Sequence, residues 1–336
     1  MSNRQRSFSQ CIIHWQKQEG RHHLPWQKNI NAYRVWLSET MLQQTQVKTV
    51  IPYFNEFIRQ FPNIIDLASA PEEAIMKLWA GLGYYSRARN LYKTANIIAN
   101  QYNGIFPHSY EEIIKLPGIG RSTAGAILSL GLNQNFPILD GNVKRIFARV
   151  HQLATPINKT KALNQLWQHA EELMPENNTR AYNQGLMDLG AMLCTKTNPS
   201  CLLCPVNQFC QAYQNNNQMN YPVKALKKHR PTKTTSFLVI ENSNKFILKK
   251  RPSEGIWGGL WSLPEINDYP MLAKIKPHKT TKNYTHLFSH FKLIYNFIFI
   301  ETAMLEINDT DQLITIDELT NFALPKPMMA FFQNQL

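Results

Sequence analysis

Leu116-Pro117-Gly118-Ile119-Gly120-Arg121-Ser122 stands between two stretches of helical periodicity, 109–116 and 121–131, and sets the architecture expected of the chain. Glycines two residues apart let backbone N–H groups come close to a phosphate, the next helix adds its positive N-terminal end, and Arg121 adds a charge. A glycine-bearing turn between helices is common in itself. The net charge gives this one weight: Lys and Arg number 36 against 23 Asp and Glu, a balance of +13, with a pI near 9.5. Such a chain suits a polyanionic partner, nucleic acid foremost and anionic lipid as the alternative. The turn then reads as a helix-hairpin-helix element that grips a phosphate backbone without reading bases.

The surrounding sequence is helical as far as residue 193. Apolar side chains recur at helical spacing over 31–59, where Pro52 marks a break, and again near 72–80, 86–101, 143–153, 161–173 and 180–193. Nothing before 194 alternates as a strand does. From 222 to 232 the composition turns polar and basic, as a linker would. Beyond it, TSFLVIE and KFILKKR flank Asn242, Ser243 and Asn244 as a hairpin; 291–301 reads as another strand, and 268–276 and 316–322 as short helices. The fold class expected is therefore multi-domain: an all-α part over 1–225, a linker over 226–232, and an α+β part over 233–336. A length of 336 residues suits two domains, and 43% hydrophobic with 18% charged residues excludes a broadly disordered chain. No apolar stretch is long enough to cross a membrane and the N-terminus lacks a secretion signal, so a cytoplasmic protein without a membrane partner is expected.

Four of the five cysteines, Cys194, Cys201, Cys204 and Cys210, fall within seventeen residues. That crowding points to a metal centre, and the residues alone leave zinc and a [4Fe–4S] cluster both open. Two carboxylates stand out. Glu39, in Val35-Trp36-Leu37-Ser38-Glu39-Thr40-Met41-Leu42, has Val35, Trp36 and Leu42 as helical neighbours, a setting that disfavours the charged form and suits a general acid. Asp140, in Phe136-Pro137-Ile138-Leu139-Asp140-Gly141-Asn142, ends an apolar run at a helix start, where an N-capping carboxylate is expected to stay ionised. A neutral acid and an anion together are the pair that glycosidic bond cleavage uses.

These motifs, with Met41-Leu42-Gln43-Gln44-Thr45-Gln46-Val47, Gly81-Leu82-Gly83-Tyr84-Tyr85-Ser86-Arg87 and Met187-Asp188-Leu189-Gly190, make nearly the whole chain resemble the adenine DNA glycosylases of the MutY family, within the helix-hairpin-helix (endonuclease III) superfamily. The resemblance implies a helical glycosylase domain carrying one [4Fe–4S] cluster on the four cysteines. It implies excision of adenine mispaired with 8-oxoguanine or guanine in double-stranded DNA, by a monomer of the nucleoid. Glu39 is then the acid that protonates adenine at N7 and later helps activate water, and Asp140 the stabiliser of an oxocarbenium-like sugar. Gln44 and Tyr84 resemble side chains that wedge into the duplex, Trp26 an apolar wall of the adenine pocket, and Gly118, Gly120, Arg121 and Ser122 the DNA-gripping hairpin. Ser122 also stands where related bifunctional enzymes carry a Schiff-base lysine, which implies a monofunctional enzyme leaving an abasic site. Lys144 is assigned no catalytic role.

Over 233–336 the chain resembles a Nudix-like domain, with Gly255-Ile256-Trp257-Gly258-Gly259-Leu260-Trp261, but the acidic metal-binding helix is absent after Glu265. Recognition of 8-oxoguanine by Phe288, Ser289 and His290 is what the resemblance implies there. A non-catalytic Fe–S DNA-binding or sensor protein is the competing reading, disfavoured by the joint presence of Glu39 and Asp140. A nucleotide pyrophosphohydrolase fails on the missing metal ligands.

Overall fold

The computed structural model describes residues 3–225, 229–242, 245–272, 275–301 and 310–335; Ser243 and Asn244 of the expected hairpin turn and 226–228 of the expected linker lie outside them. The chain divides into two compact units, Met1–Ser69 with Asn90–Leu226, and Ala70–Arg89 with Lys227–Leu336. Within the second unit the Trp261 indole N–H donates to the Glu73 carboxylate at 2.7 Å.

The first unit is helical. Its N-terminal helix α1 (Asn3–Glu19) was not anticipated, because its mean hydropathy is low, yet Phe8 and Ile12 are buried. α1 packs on α11 (Thr179–Met192) at Gly185, where an added Cβ would stand 2.7 Å from Ile12. Helix α2 (Ala32–Leu42) starts at Asn31, whose side chain accepts from the Arg34 N–H at 2.9 Å, and buries Trp36, Leu37 and Met41. The break expected at Pro52 falls instead at Gln43–Gln46, where Gln44 turns left-handed at φ 57°. Pro52 sits inside α3 (Val47–Gln60), held by burial of Val50, Phe54 and Phe57 along one face.

Short α4 (Ile64–Ser69) and α5 (Glu72–Trp79) precede α6 (Ser86–Gln101). The hairpin lies between α7 (Tyr110–Ile113) and α8 (Arg121–Ala126), which continues as a π-helical turn over Ile127–Gly131. α9 (Gly141–Val150) and α10 (Thr160–Glu172) complete the core with α11, around Phe147, Leu166, Tyr182 and Leu186, and short α12 (Gln211–Gln214) follows the cysteines.

The second unit is built on a sheet of seven strands among the described residues: β1 (Thr232–Asn242), β2 (Lys245–Lys250), β3 (Trp261–Ser262), β4 (Lys279–Thr280), β5 (Tyr284–Leu287), β6 (Lys292–Glu301) and β7 (Asp311–Ile314). β1 and β6 run parallel from Thr232↔Lys292 to Glu241↔Glu301, and the other pairs are antiparallel. β6 alternates half-buried and buried residues, the period-two signal of its sequence. The short helices expected near 268–276 and 316–322 are 3₁₀ turns at Ile266–Asp268 and Asp317–Asn321; residues 273–274 lie outside the described set. An unanticipated helix, α13 (Lys326–Gln335), stacks Phe331 on Phe297 with ring centroids 4.0 Å apart.

Candidate active site

Glu39 lies in the last turn of α2, on a cavity of about 370 Å³ lined also by Leu24, Trp26, Val35, Leu42 and Gln184. Val35 and Leu42, its neighbours at i−4 and i+3, give the carboxyl its apolar setting. The group is partly accessible through the cavity yet densely surrounded by protein. Burial first, and the Asp140 charge second, push its pKa from near 4.5 up to about 8, and no donor among the described residues pulls it back. Trp26 is buried and meets Phe54 edge to face at 5.5 Å, so the wall it forms is fixed.

Asp140 is the N-cap of α9. Its Oδ1 accepts from the Val143 N–H at 2.8 Å and its Oδ2 from Asn142 Nδ2 at 3.0 Å. It does not itself line the cavity; its charge reaches Glu39. The capping bonds were expected to hold it ionised, but burial outweighs them and raises its pKa. The bonds from Val143 and Asn142 and the Arg145 charge all work against that rise, and Glu39 has none of these. These contacts favour the charged form of Asp140 over that of Glu39. Just upstream, the Leu139 N–H donates to Ser122 Oγ at 3.1 Å, so the serine hydroxyl ties down the segment that delivers Asp140.

In the hairpin, Gly118 has φ 76°, and a Cβ there would stand 2.8 Å from the Asn90 side chain, so only glycine fits. Gly120 caps α8 with open space around it, leaving the backbone approachable. Arg121, expected to add a charge to the hairpin, pairs with Glu171 and lies over the Trp167 ring at 4.0 Å. Gln44 and Tyr84 are both exposed and both left-handed, at φ 57° and 52°, so each stands out on a tight turn.

The four cysteines are free thiols; burial first, and the charge of Cys194 as a smaller cause, raise the pKa of Cys201, Cys204 and Cys210. Among the described residues, no group of three or more His, Cys, Asp or Glu is arranged to hold a metal ion. Two arginines wire this loop to α9. Arg149, 2% exposed, donates to Cys194 Sγ at 3.2 Å and to the carbonyls of Thr195, Gln218 and Tyr221. Arg145 donates to the Cys194 carbonyl at 2.8 Å and to Asn142 Oδ1 at 2.9 Å, the same Asn142 that bonds Asp140.

In the second unit Phe288, Ser289 and His290 form the turn between β5 and β6. The Phe288 N–H bonds the Phe291 carbonyl at 2.9 Å, the two rings stack at 4.4 Å, and Ser289 and His290 are exposed at the tip. The carboxylates nearest the altered Nudix motif are engaged: Glu265 pairs with Arg251 at 2.8 Å and Asp268 with Lys249 at 2.6 Å.

Sequence inspection missed a buried anchor behind the cavity. Asp188, fully buried, accepts from the Arg21 N–H at 3.0 Å, from Arg21 Nε at 2.7 Å and from Gln184 Nε2 at 3.0 Å. Arg21 and Gln184 both line the cavity. Partners 167 residues apart leave no periodic signal.

Residues 37–172 match the HhH-GPD superfamily of base excision DNA repair proteins, and residues 235–334 match the NUDIX domain. The chain is 42% identical to the adenine DNA glycosylase of Buchnera aphidicola subsp. Acyrthosiphon pisum, covering 97% of each. It is 32% identical to the adenine DNA glycosylase of Homo sapiens, over 86% of this chain and 66% of the human one. A thermostable thymine-DNA glycosylase matches 63% of this chain and 97% of its own, at 26% identity and TM-score 0.57. An endonuclease III in a non-covalent DNA complex shares the fold over 64% of this chain and 99% of its own, at 19% identity and TM-score 0.53.

Proposed function

The chain belongs to the MutY family of adenine DNA glycosylases, hydrolases of N-glycosyl bonds that act in base excision repair, and we propose that it excises adenine mispaired with 8-oxoguanine or guanine in duplex DNA and leaves an abasic site. The observation that carries this reading is Glu39: a carboxyl with no compensating donor among the described residues, on a cavity wall, raised to about 8 beside a second carboxylate that has several.

The target adenine leaves the stack, because neither carboxylate reaches it within a duplex, and enters the cavity against Trp26. Glu39 donates its proton to N7 as the C1′–N9 bond breaks, and the bonding pair leaves with adenine. Positive charge then develops on the sugar, and Asp140 stabilises it. Water adds at C1′ and gives its proton to the Glu39 carboxylate, restoring the acid. Ser122 provides no amine, so the cycle ends at the abasic site and the enzyme is monofunctional. Gln44 and Tyr84 fill the space the base vacates, and the Gly118–Gly120 hairpin holds the phosphates. Phe288, Ser289 and His290 read 8-oxoguanine, the hydroxyl and imidazole at the tip supplying polar contacts.

Four thiols within seventeen residues, one of them accepting from a buried guanidinium, are a donor set whose chemistry suits an anionic [4Fe–4S] centre, which Cys194, Cys201, Cys204 and Cys210 would hold. Bound there, it would cross-link the loop and add one-electron redox capacity; every hydrolytic step above belongs to side chains. The protein acts as a monomer. The test is incubation with a duplex bearing adenine opposite 8-oxoguanine, followed by alkali: free adenine with cleavage only after alkali is expected. No adenine release would favour the non-catalytic reading, and strand scission without alkali would refute monofunctional action.

A further inference from the structure

Tyr84 is 46% exposed on a turn with unusual backbone: Gly81, Gly83 and Tyr84 all have positive φ, at 91°, 76° and 52°. Tyrosine enters the left-handed region only when its surroundings enforce it. Those surroundings converge on one buried side chain, Arg87, which closes the Gly81–Arg87 motif and to which the motif alone assigns no role. Its guanidinium carbon lies 5.3 Å from the ring centroid of fully buried Trp79 and 5.4 Å from that of Tyr84. Its Nη2 donates to the Gly83 carbonyl at 3.0 Å and the Leu82 carbonyl at 3.4 Å, while Trp79 Nε1 donates to the same Gly83 carbonyl at 3.1 Å. Its backbone N–H bonds the Tyr84 carbonyl at 2.9 Å, and the Gly81 N–H donates to the Tyr85 hydroxyl at 3.2 Å.

We propose that Arg87 is a positioning residue that presents Tyr84 to the duplex: a guanidinium in contact with both Trp79 and Tyr84 that fixes the turn in the shape a wedge needs. The inference rests on the reading of Tyr84 as a wedge. A planar cation is suited to this place because it stacks on both rings while its N–H groups hold the loop carbonyls, whereas an ammonium on a flexible stem cannot do both. The physical gain is pre-organisation. Insertion between base pairs must offset lost stacking, and a side chain already ordered on a fixed turn adds no ordering penalty to it.

The test uses the full chain, with Arg87→Met, Arg87→Lys, Tyr84→Ala and the Arg87→Met/Tyr84→Ala double variant. Thermal unfolding checks that each is folded. The readout is fluorescence of 2-aminopurine placed next to the mispaired adenine, which brightens as the stack opens, together with the single-turnover excision rate. Loss of a base–aromatic stack should weaken opening about tenfold in Tyr84→Ala, and Arg87→Met should match it. The double variant should be no worse than either single one, because both remove the same wedge. Arg87→Lys should fall between wild type and Arg87→Met, and it replaces Arg87→Met if that variant does not fold, with the same expected non-additivity. Losses that multiply in the double variant, or an Arg87 variant with unaltered opening, overturn the proposal while leaving Tyr84 as the wedge. Unaltered opening in Tyr84→Ala overturns the wedge reading and the proposal with it.

Discussion

Replacing Glu39 by glutamine should change how stability responds to pH, and the structure fixes both sign and size. The folded-state pKa of Glu39 is raised from near 4.5 to about 8 by burial and by the Asp140 charge. Below the unfolded value both states hold the proton and the folded protein has its full stability. Between the two values the folded state binds more protons than the unfolded chain, so stability falls as pH rises, and the loss is complete above about 8. At about 1.4 kcal/mol per pH unit, that interval corresponds to a loss of about 5 kcal/mol. Glu39→Gln keeps the shape and stays neutral at every pH. Urea unfolding at pH 5 and at pH 8.5, with and without the substitution, measures the difference. The variant should match wild type at pH 5 to within about 1 kcal/mol and exceed it by several kcal/mol at pH 8.5. A gap between the two proteins that does not widen with pH would refute the reasoning, because Glu39 would then ionise as an ordinary glutamate.

Four further outcomes are expected. Asp140→Asn should retain duplex binding while single-turnover adenine release falls by about a hundredfold or more, as loss of a charge aimed at the transition state does; gel-shift and release assays run side by side check this. Asp188→Ala removes the buried partner of Arg21 and should lower stability by roughly 3–5 kcal/mol in urea unfolding, since it leaves a guanidinium facing a vacated interior. Cys201→Ser should lower the iron content and visible absorption of freshly purified protein, measured by metal analysis and spectroscopy; colourless wild-type protein containing zinc would contradict the cluster assignment. Substituting Ser289 and His290 together by alanine should leave excision opposite guanine intact and reduce the preference for 8-oxoguanine; an unchanged preference would remove this turn from recognition.

Much of this was legible because the chemistry is local. The hairpin, the cysteine spacing and the apolar neighbours of Glu39 are each carried within twenty residues, where glycine freedom, ligand crowding and helical period act directly. Reasoning failed where a distant contact outvoted a local rule. Pro52 marks a helix end by local rules, but three buried side chains hold α3 through it while Gln44 makes the actual turn. The engagement of Arg121 by Glu171 and Trp167, from another helix, leaves no local signal. Asp188 and Arg21 pair across most of the first unit, and Arg87 is recognisable only once the two rings it contacts are seen.

The account stands on Glu39 holding a proton at neutral pH while Asp140 bears the charge. Infrared difference spectra of wild type against Glu39→Gln, recorded from pH 6 to 9.5, report that proton directly. A protonated-carboxyl band assigned to Glu39 at pH 7 that disappears near pH 8 is the expected result. A carboxylate signal already fully developed at pH 6 would contradict it.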